Sequence, residues 1–309
     1  MILLFSIPSI REKHHDAFET THRFLGWSSI AIFWIQLLLL VQEDASTPTS
    51  SLGHALLHTP TFWTLSLTTT FLVYPWLRLR RWTFTAHAIS PHALHLSFPH
   101  AIHKFSCLTI SSSPLREWHP FATFPSTDVS TPGASIVISN AGDWTKNLIR
   151  SVTAHTQATG KDAVELRFYT KSHPKAGAIS LTCLFPRVLL VTTGSGIGPC
   201  LSSLLENGLA SSRCPTRSRQ FARLVWSSRE PEKTFGPHIM ALVAKADPDA
   251  LVIDTAEMGR PDLLEVAWSM YRKLDVEAVF VLSNQKVVKW VVGGLERRGV
   301  PAFGPIWDS

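Results

Sequence analysis

The sequence predicts a membrane α-helical hairpin followed by two domains, a small antiparallel β-barrel and an α/β domain built on a parallel sheet. Two uncharged apolar segments lie within residues 1–81, and short β-branched runs separated by Pro, Gly and Ser fill residues 82–185. Strand and helix patterns then alternate through residues 186–309, which is typical of a parallel sheet. The 309 residues are enough for two ordinary domains beside the hairpin.

The hairpin prediction depends on two apolar segments and their flanks. The segment Phe24–Gln42 has no charge and is long enough to cross a bilayer, whereas Phe62–Leu77 is shorter and contains Pro75. Basic residues flank the outer ends of the pair and are lacking in the loop between them: Arg11, Lys13 and Arg23 precede it, and Arg78, Arg80 and Arg81 follow it. The positive-inside rule then predicts cytosolic domains. The alternative is a pair of buried core helices; a cleaved signal peptide is not expected.

Composition narrows the functional classes. The chain carries 29 Lys and Arg against 23 Asp and Glu, a formal charge of +6, but no basic run that resembles a nucleic-acid-binding arm, so no nucleic-acid partner is predicted. The four cysteines form no C-x-x-C pair, which argues against a zinc site and fits a reducing compartment. No metal site is predicted; His22, before the first span, is either a candidate haem ligand or a polar residue at headgroup level.

Two stretches of the middle region carry candidate binding residues. The first, REWHPFATFPS, covers residues 116–126 and places an aromatic, a proline and hydroxyl residues at a strand end. The second, NAGDWTKNLIRS, covers residues 140–151, where Asp143 is predicted to cap a helix that has Trp144 and Thr145 in its first turn. A helix N-terminus with free N–H groups is a natural phosphate site, although a structural cap alone is the simpler reading.

The stretch PRVLLVTTGSGIGPCLSSLL, residues 186–205, contains a strand, a glycine bend and a helix. Gly194, Gly196 and Gly198 follow the strand, and their missing Cβ atoms would let a pyrophosphate approach the backbone at the helix N-terminus. Pro199 suits the first helical turn, where its missing N–H costs nothing. The segment Thr193–Pro199 is therefore a candidate dinucleotide cradle, with a tight turn chosen for packing as the alternative.

The next predicted strand ends in WSSRE. Ser228 and Arg229 stand where a second strand end would meet an adenine ribose, and a guanidinium is a bidentate partner for an anion. This pair favours the 2′-phosphate of NADPH over NADH. A solvated turn is the alternative.

Together these motifs carry a family resemblance over nearly the whole chain. The stretches HRFLGW, EWHPFA, AGDWTKNLI, TTGSGIGPCLS, SREPEKTFGPHI, SNQKV and GVPAFGPIWDS resemble the ferredoxin–NADP⁺ reductase-like flavoproteins. Within these, the chain is similar to the membrane branch that includes ferric reductases and NADPH oxidases, and most similar to fungal TmpA-like integral membrane FAD-binding proteins. The resemblance implies a membrane region over 1–81, an FAD-binding β-barrel over 82–185 and an NAD(P)-binding α/β domain over 186–309.

The resemblance also implies roles for particular residues. The HPFA strand, His119, Pro120, Phe121 and Ala122, would lie against the flavin, with Phe121 on the isoalloxazine or ribityl side and His119 on the ribityl or phosphates. Asp143, Trp144 and Thr145 would hold the FAD pyrophosphate, and residues 194–199 the nicotinamide dinucleotide. Trp307 stands where the family places an aromatic over the flavin.

Three departures from the family pattern matter. The hydroxyl of the family's HPFT motif is replaced by Ala122, with Thr123 one residue late, and the Cys-Gly-Pro near the nicotinamide is replaced by a stretch beginning at Ser283. The second haem histidine, thirteen residues after His22, is Ile35. The resemblance therefore implies a membrane-tethered FAD-dependent oxidoreductase that takes hydride from NAD(P)H for an unknown acceptor. A protein that binds these cofactors without turnover, and a haem-dependent ferric reductase or oxidase, remain as alternatives.

Overall fold

The computed structural model describes residues 7, 15–44, 51–100, 102, 105–126, 133–171, 175–209 and 220–305. Its N-terminal part is helical, with α1 over His15–Asp44, α2 over Leu52–His58 and α3 over Pro60–Leu77. Both apolar segments are thus helices, and each extends beyond the predicted span. The short helix α2 was not predicted from the sequence.

Helices α1 and α3 pack on each other through a narrow seam. Leu37, Val41 and Leu65 are buried there, and the Trp34 indole N–H donates to Thr69 Oγ1 at 2.9 Å. Most other apolar side chains of the pair are exposed; Ile32 and Leu39, for example, are each 62% exposed. Helices α1 and α3 therefore pack side by side, and much of their apolar surface is exposed.

Only α1 is apolar enough over a sufficient length to cross a membrane, within the part of the chain that the structure describes. Helix α3 is rich in hydroxyl residues, and Thr68, Thr69 and Thr70 each donate to the backbone carbonyl four residues earlier. These bonds lower the cost of placing hydroxyls in an apolar medium. A second spanning helix is not confirmed and stays a prediction.

The middle region is an eight-stranded antiparallel sheet with the strand order β4-β3-β7-β1-β2-β6-β5, and β8 pairs with β3. The strands are β1 Leu79–Ser90, β2 Ala93–Phe98, β3 Ser106–Ser111, β4 His119–Ala122, β5 Phe124–Pro125, β6 Ala134–Ser139, β7 Val164–Lys171 and β8 Lys175–Ala176. Strands β4 and β5 stand at opposite ends of this order but are joined by Thr123 alone. The sheet is therefore a nearly closed barrel, and Thr123 is the residue at which the chain crosses from one end to the other.

The barrel encloses its own core and is covered by one helix. Alternate residues of β1, including Phe84 and Ala86, point inward, because side chains of a strand alternate between its two faces. Helix α4, Asp143–Thr159, covers the barrel with Ile149 and Val152. A short 3₁₀ helix, Ala178–Leu184, then leads into the last domain.

The last third is a five-stranded parallel sheet of order β11-β10-β9-β12-β13. Its elements are β9 Arg187–Thr193, α5 Ile197–Leu209, β10 Phe221–Ser228, α6 Pro231–Ala246, β11 Leu251–Asp254, α7 Leu263–Leu274, β12 Ala278–Leu282, α8 Gln285–Glu296 and β13 Ala302–Phe303. Both faces of β9 are buried: Val188 and Leu190 pack towards α5 and α6, and Leu189 and Val191 pack towards α7 and α8.

The barrel and the α/β domain share one apolar core. Phe124 and Val137 of the barrel pack in the same cluster as Ile197 and Leu201 of α5. Helix α6 also touches the barrel, since the Ser90 hydroxyl donates to the Thr234 carbonyl at 2.8 Å. The two lobes therefore hold a fixed relation to each other.

Helix α6 is kinked where it meets the barrel. Gly236 has φ +77°, and a Cβ at this position would lie 2.9 Å from Ile89 Cγ2 of β1. Pro237 follows within the helix, where it removes one backbone hydrogen bond. Glycine is required here by both the backbone angle and the close approach of the barrel.

Candidate functional site

The predicted glycine bend follows the first strand of the parallel sheet. Strand β9 ends at Thr193, Gly194–Gly196 form one 3₁₀ turn, and α5 begins at Ile197, which places Pro199 in its first turn as predicted. Gly194 has φ +51°, and a Cβ there would meet nothing within 4 Å. The Trp226 indole N–H donates to the Gly194 carbonyl at 2.9 Å, so strand β10 holds the bend from beside it.

The three glycines of the bend have different surroundings. A Cβ on Gly196 would lie closer than 3.0 Å to the Leu282 carbonyl and to Thr192 Oγ1, whereas a Cβ on Gly198 would meet nothing within 4 Å. Gly196 therefore allows the bend to pack directly on the end of β12. This is a packing reason in addition to the predicted approach of a pyrophosphate.

The centre of the sheet brings two hydroxyls together. After β9 the chain builds outward through β10 and β11 and then returns to β12 on the other side of β9, so the strand order reverses between β9 and β12. Ligands of open α/β sheets bind at such a switch point, beyond the carboxyl ends of the strands. Thr193 and Ser283 stand at this point, with their Oγ atoms 2.5 Å apart.

Two buried side chains, Thr192 and Cys200, lie next to this strand edge, and neither is a reactive group. The Thr192 hydroxyl donates to the Leu282 carbonyl at 2.7 Å and ties β9 to β12. Burial raises the pKa of the Cys200 thiol in α5, and the Thr192 hydroxyl only partly opposes that shift. The thiol is thus protonated at neutral pH and is no candidate nucleophile.

Ser228 and Arg229 lie where the sequence placed them, at the carboxyl end of β10. Ser228 is buried and lies opposite Asp254 of β11, while Arg229 is exposed. Asp254 Oδ1 accepts from the backbone N–H groups of Glu230 and Ala256. Asp254 therefore fixes the loop after β10, and the side chain of Arg229 in this loop is exposed to solvent.

The two motifs of the barrel meet through their aromatic rings. The His119 ring of β4 stacks on Trp144 of α4 with 4.1 Å between ring centroids, and Phe121 lies 6.0 Å from the same indole. His119 Nε2 is also 3.6 Å from a carboxylate oxygen of Glu117. HPFA and GDWT, which are separated by about twenty residues in sequence, thus form one aromatic surface beside a helix N-terminus.

The cap of α4 differs from the prediction. The N-cap is Gly142, and Asp143 is the first helical residue with an exposed side chain. Thr145 Oγ1 accepts from the N–H groups of Ala141 and Gly142, and its own proton goes to the Gly142 carbonyl at 2.9 Å. The Thr145 hydroxyl therefore fixes the backbone just before the helix, and Gly142, not Asp143, is the N-cap. The predicted contact of Asp143 with a pyrophosphate stays a prediction.

The other residues of the HPFA stretch are divided between surface and interior. Pro120 is exposed, Ala122 is partly buried, and Thr123 is 3% exposed. Thr123 donates both its N–H and its hydroxyl to the Ser106 carbonyl, at 2.9 and 3.0 Å. These bonds continue the pairing of β4 with β3 by one residue, up to the point where the chain crosses to β5.

The aromatic surface and the glycine bend lie on neighbouring elements. Helix α5, which the bend opens, packs against β4 and β5, and the bend itself contacts β6. The two predicted cradles therefore come from different domains and lie next to each other.

Two predictions concern single residues, the candidate haem ligand His22 and the C-terminal aromatic Trp307. His22 is exposed on α1 and stacks on Phe18, and Ile35, thirteen residues later in the same helix, is also exposed. No group of three potential metal ligands occurs among the described residues. Trp307, the predicted aromatic over the flavin, lies outside the described residues.

Two site residues could not be found from the sequence. Trp226 sits inside a buried strand and resembles an ordinary core residue until its bond to Gly194 is seen. Arg23 resembles a membrane-flanking charge, yet its guanidinium donates to the Leu115 and Arg116 carbonyls, at 2.5 and 3.3 Å, in the turn that leads into β4. Arg23 precedes these two residues by 92 and 93 positions in the sequence, so only the folded structure shows the contact.

Sequence comparisons place the chain beside fungal reductases. Residues 178–309 match the family model described as "Adenylate-forming reductase 03009, C-terminal domain". The chain is 35% identical over 309 residues to Adenylate-forming reductase 03009 of Coprinopsis cinerea, a match that covers 100% of this chain and 28% of that protein. The chain thus spans just over a quarter of the length of the curated relatives that it matches.

Solved structures confirm the fold. A flavohemoglobin from Malassezia yamatoensis, determined with bound FAD and heme, superposes over 90% of this chain and 84% of its own with a TM-score of 0.51 and 18% identity. A mutant of ferredoxin–NADP⁺ reductase from Plasmodium falciparum superposes over 74% of this chain and 96% of its own, with a TM-score of 0.51 and 11% identity. The barrel and parallel sheet together have the ferredoxin–NADP⁺ reductase-like fold.

Proposed function

We propose that this chain is a membrane-tethered FAD-dependent oxidoreductase that takes hydride from NADPH or NADH and passes the electrons to a separate acceptor. One observation carries the proposal: the aromatic surface of His119, Phe121 and Trp144 lies beside the helix that the glycine bend opens. Two neighbouring cradles from two domains are what the juxtaposition of two dinucleotides requires. The reductase names of the relatives support it, as do the FAD named with the flavohemoglobin structure and the NADP⁺ in the name of the Plasmodium reductase.

The barrel side fits FAD in two respects. The first-turn N–H groups of a helix carry a partial positive charge, and a Cβ on Gly142 would meet nothing within 4 Å, so an anion can approach the N-terminus of α4. The rings of His119, Phe121 and Trp144 offer flat apolar surfaces against which the flavin or its ribityl chain would rest. FAD supplies the hydride and single-electron chemistry when bound.

The α/β side fits a nicotinamide dinucleotide. Gly194 leaves open space above the bend, the N-terminus of α5 points its N–H groups at that space, and the Trp226 bond keeps the bend in place. The Thr193 and Ser283 hydroxyls at the switch point would hold the nicotinamide end, and Arg229 would meet a 2′-phosphate at the other end. Under this proposal the residues of the chain bind and orient the nicotinamide dinucleotide. The apolar core that the two domains share excludes water.

The membrane tether is supported by the outward-facing apolar surface of α1 and α3. A contiguous apolar surface of that extent marks a membrane or a protein interface. Arg23 links this hairpin to the barrel, because its guanidinium holds the turn before β4. The proposed localisation is integral to a membrane, with both domains in the cytosol. The closer affinity to the ferric reductase and NADPH oxidase branch belongs to the same proposal.

A second function, cofactor binding without turnover, is favoured by one observation. Ser283 replaces the family's thiol, and its hydroxyl is already bonded to Thr193. Such a protein would act as a scaffold or in signalling. Bound flavin that neither NADPH nor NADH reduces would support this alternative. The haem-dependent alternative predicts a Soret band in the purified protein.

The absorbance spectrum of the full chain, purified in detergent, tests the proposal. We expect flavin bands that bleach anaerobically on addition of NADPH. Trp144→Ala should lower flavin occupancy severalfold, because it removes the ring on which His119 stacks, whereas Trp290→Ala, an exposed tryptophan on α8, should leave occupancy unchanged. Absence of flavin from the wild-type chain, including after incubation with excess FAD, would overturn the proposal.

A further inference from the structure

Three arginines form an arginine collar, Arg78, Arg80 and Arg81, where the helical hairpin ends and the barrel begins. Arg78 follows α3, and Arg80 and Arg81 are exposed at the start of β1. Among the described residues none of the three lies within 4.0 Å of a carboxylate oxygen, although other basic residues, such as Arg23 and Arg223, do have carboxylate partners. The collar therefore presents three charges without internal neutralisation.

The collar continues directly from apolar surface. Phe71, Tyr74 and Leu77 of α3 are 68%, 50% and 71% exposed, and Leu77 immediately precedes Arg78. Aromatic residues mark the boundary: Trp76 packs on Trp27 of α1 with 5.3 Å between ring centroids. Apolar surface, then tryptophan, then arginine is the order of environments met on leaving a bilayer.

The guanidinium groups are held in place by local contacts. Arg78 donates to the Tyr74 hydroxyl at 2.6 Å, Arg80 donates to the Leu79 carbonyl at 3.0 Å, and Arg81 lies over the Tyr169 ring at 5.6 Å. These contacts use part of each fork or one face of it and leave other N–H groups for an anion. A phosphate matches the planar guanidinium fork, because it can accept two parallel hydrogen bonds.

One member of the collar, Arg81, continues into a positive surface on the outward face of the barrel, whereas Arg80 precedes it on the other face of β1. In the pairing of β1 with β7, Arg81 lies opposite Tyr169 and Thr83 lies opposite Arg167, so Arg167 is on the same outward face as Arg81. Arg167 is exposed and also has no carboxylate partner among the described residues. The positive surface is thus wider than the helix–strand junction alone.

We propose that the arginine collar binds the headgroups of anionic phospholipids in the leaflet that faces the barrel, and that this contact seats the barrel on the membrane. The inference rests on the proposed membrane tether and adds to it the lipid class and the residues that select it. Zwitterionic lipids carry a compensating cation at the same depth, so the collar should prefer lipids with net negative charge.

Spin-labelled lipids test the inference with the full chain reconstituted in phosphatidylcholine bilayers. The fraction of motionally restricted label is measured for phosphatidylserine and for phosphatidylcholine, and their ratio gives the selectivity. We expect a preference for phosphatidylserine of about threefold or more, since one arginine at a surface contributes a factor of about five. The double variant Arg80→Gln with Arg81→Gln should lower the ratio severalfold, because it removes two of the three arginines of the collar.

Two control variants define the result. Arg260→Gln with Arg272→Gln removes two exposed arginines of the α/β domain and should leave the ratio unchanged, and Arg80→Lys with Arg81→Lys should keep most of the selectivity.

Equal restriction of both lipids by the wild type would overturn the inference while leaving the tether intact. No restricted component with either lipid would overturn the tether itself. Loss of selectivity in inorganic phosphate, but not in sodium chloride of equal ionic strength, would assign the collar to a soluble anion and overturn the lipid assignment.

Discussion

Gly196→Ala should destabilise the α/β domain because the bend has no room for a methyl group. The new Cβ would lie closer than 3.0 Å to the Leu282 carbonyl, which is backbone, and to Thr192 Oγ1, which is held by its hydrogen bond to that carbonyl. The bend must therefore move by about 1 Å, and overpacking of this kind costs about 1–3 kcal/mol. The same shift strains the Thr192–Leu282 hydrogen bond, which adds about 0.5–1.5 kcal/mol.

The expected loss, about 1.5–4.5 kcal/mol, corresponds to a fall in Tm of roughly 5–20 °C for a domain of this size. Thermal unfolding of the full chain in detergent, followed by tryptophan fluorescence, measures it. Gly198→Ala is the matched control two residues away: its Cβ meets nothing within 4 Å, and alanine favours a helix over glycine by about 1 kcal/mol. A Tm for Gly196→Ala equal to that of the wild type, or an equal fall in both variants, would refute the reasoning.

Two further predictions concern the barrel. Burial, with smaller contributions from His238 and His87, lowers the pKa of His95 to about 4, so the unfolded chain takes up a proton first as the pH falls below 6.5. The free energy of unfolding should therefore fall between pH 6.5 and 4 by up to about 3 kcal/mol, and urea titrations should show that His95→Phe loses this slope; an unchanged slope would exclude His95 as its source. Arg23→Ala should speed hydrogen exchange in the 113–118 turn severalfold, because two carbonyls lose their donor, and Arg23→Lys should be intermediate. Unaltered exchange would show that the turn is stable without Arg23.

The parts of the fold with strong periodicity could be predicted from the sequence. Strand β9, the bend and helix α5 carry a buried β-branched run, glycines and a proline in an order with few alternatives, and the structure places them accordingly. The β-branched runs also indicated a barrel, since alternation and turn residues are local signals. Its strand order could not be predicted, because it is set by contacts between distant segments such as β1 and β7.

The candidate site was predictable as two motifs and not as one surface. Nothing local indicates that His119 stacks on Trp144, or that the Thr123 hydroxyl donates to the Ser106 carbonyl of β3. The cap of α4 was assigned to Asp143 because acidic residues commonly occupy that position, but the N-cap is Gly142, whose N–H donates to the Thr145 hydroxyl. In each case a long-range contact or a competing hydrogen-bond acceptor decided the outcome.

Transfer of hydride between the two cradles is the central claim, and anaerobic stopped-flow mixing tests it most directly. The flavin-loaded full chain is mixed with NADPH, or with NADPH deuterated at the transferred C4 position, and the flavin absorbance is followed through one turnover. We expect bleaching whose rate saturates with nucleotide concentration and is slowed by about twofold or more on deuteration. Flavin that stays oxidised while both nucleotides are bound would contradict the claim.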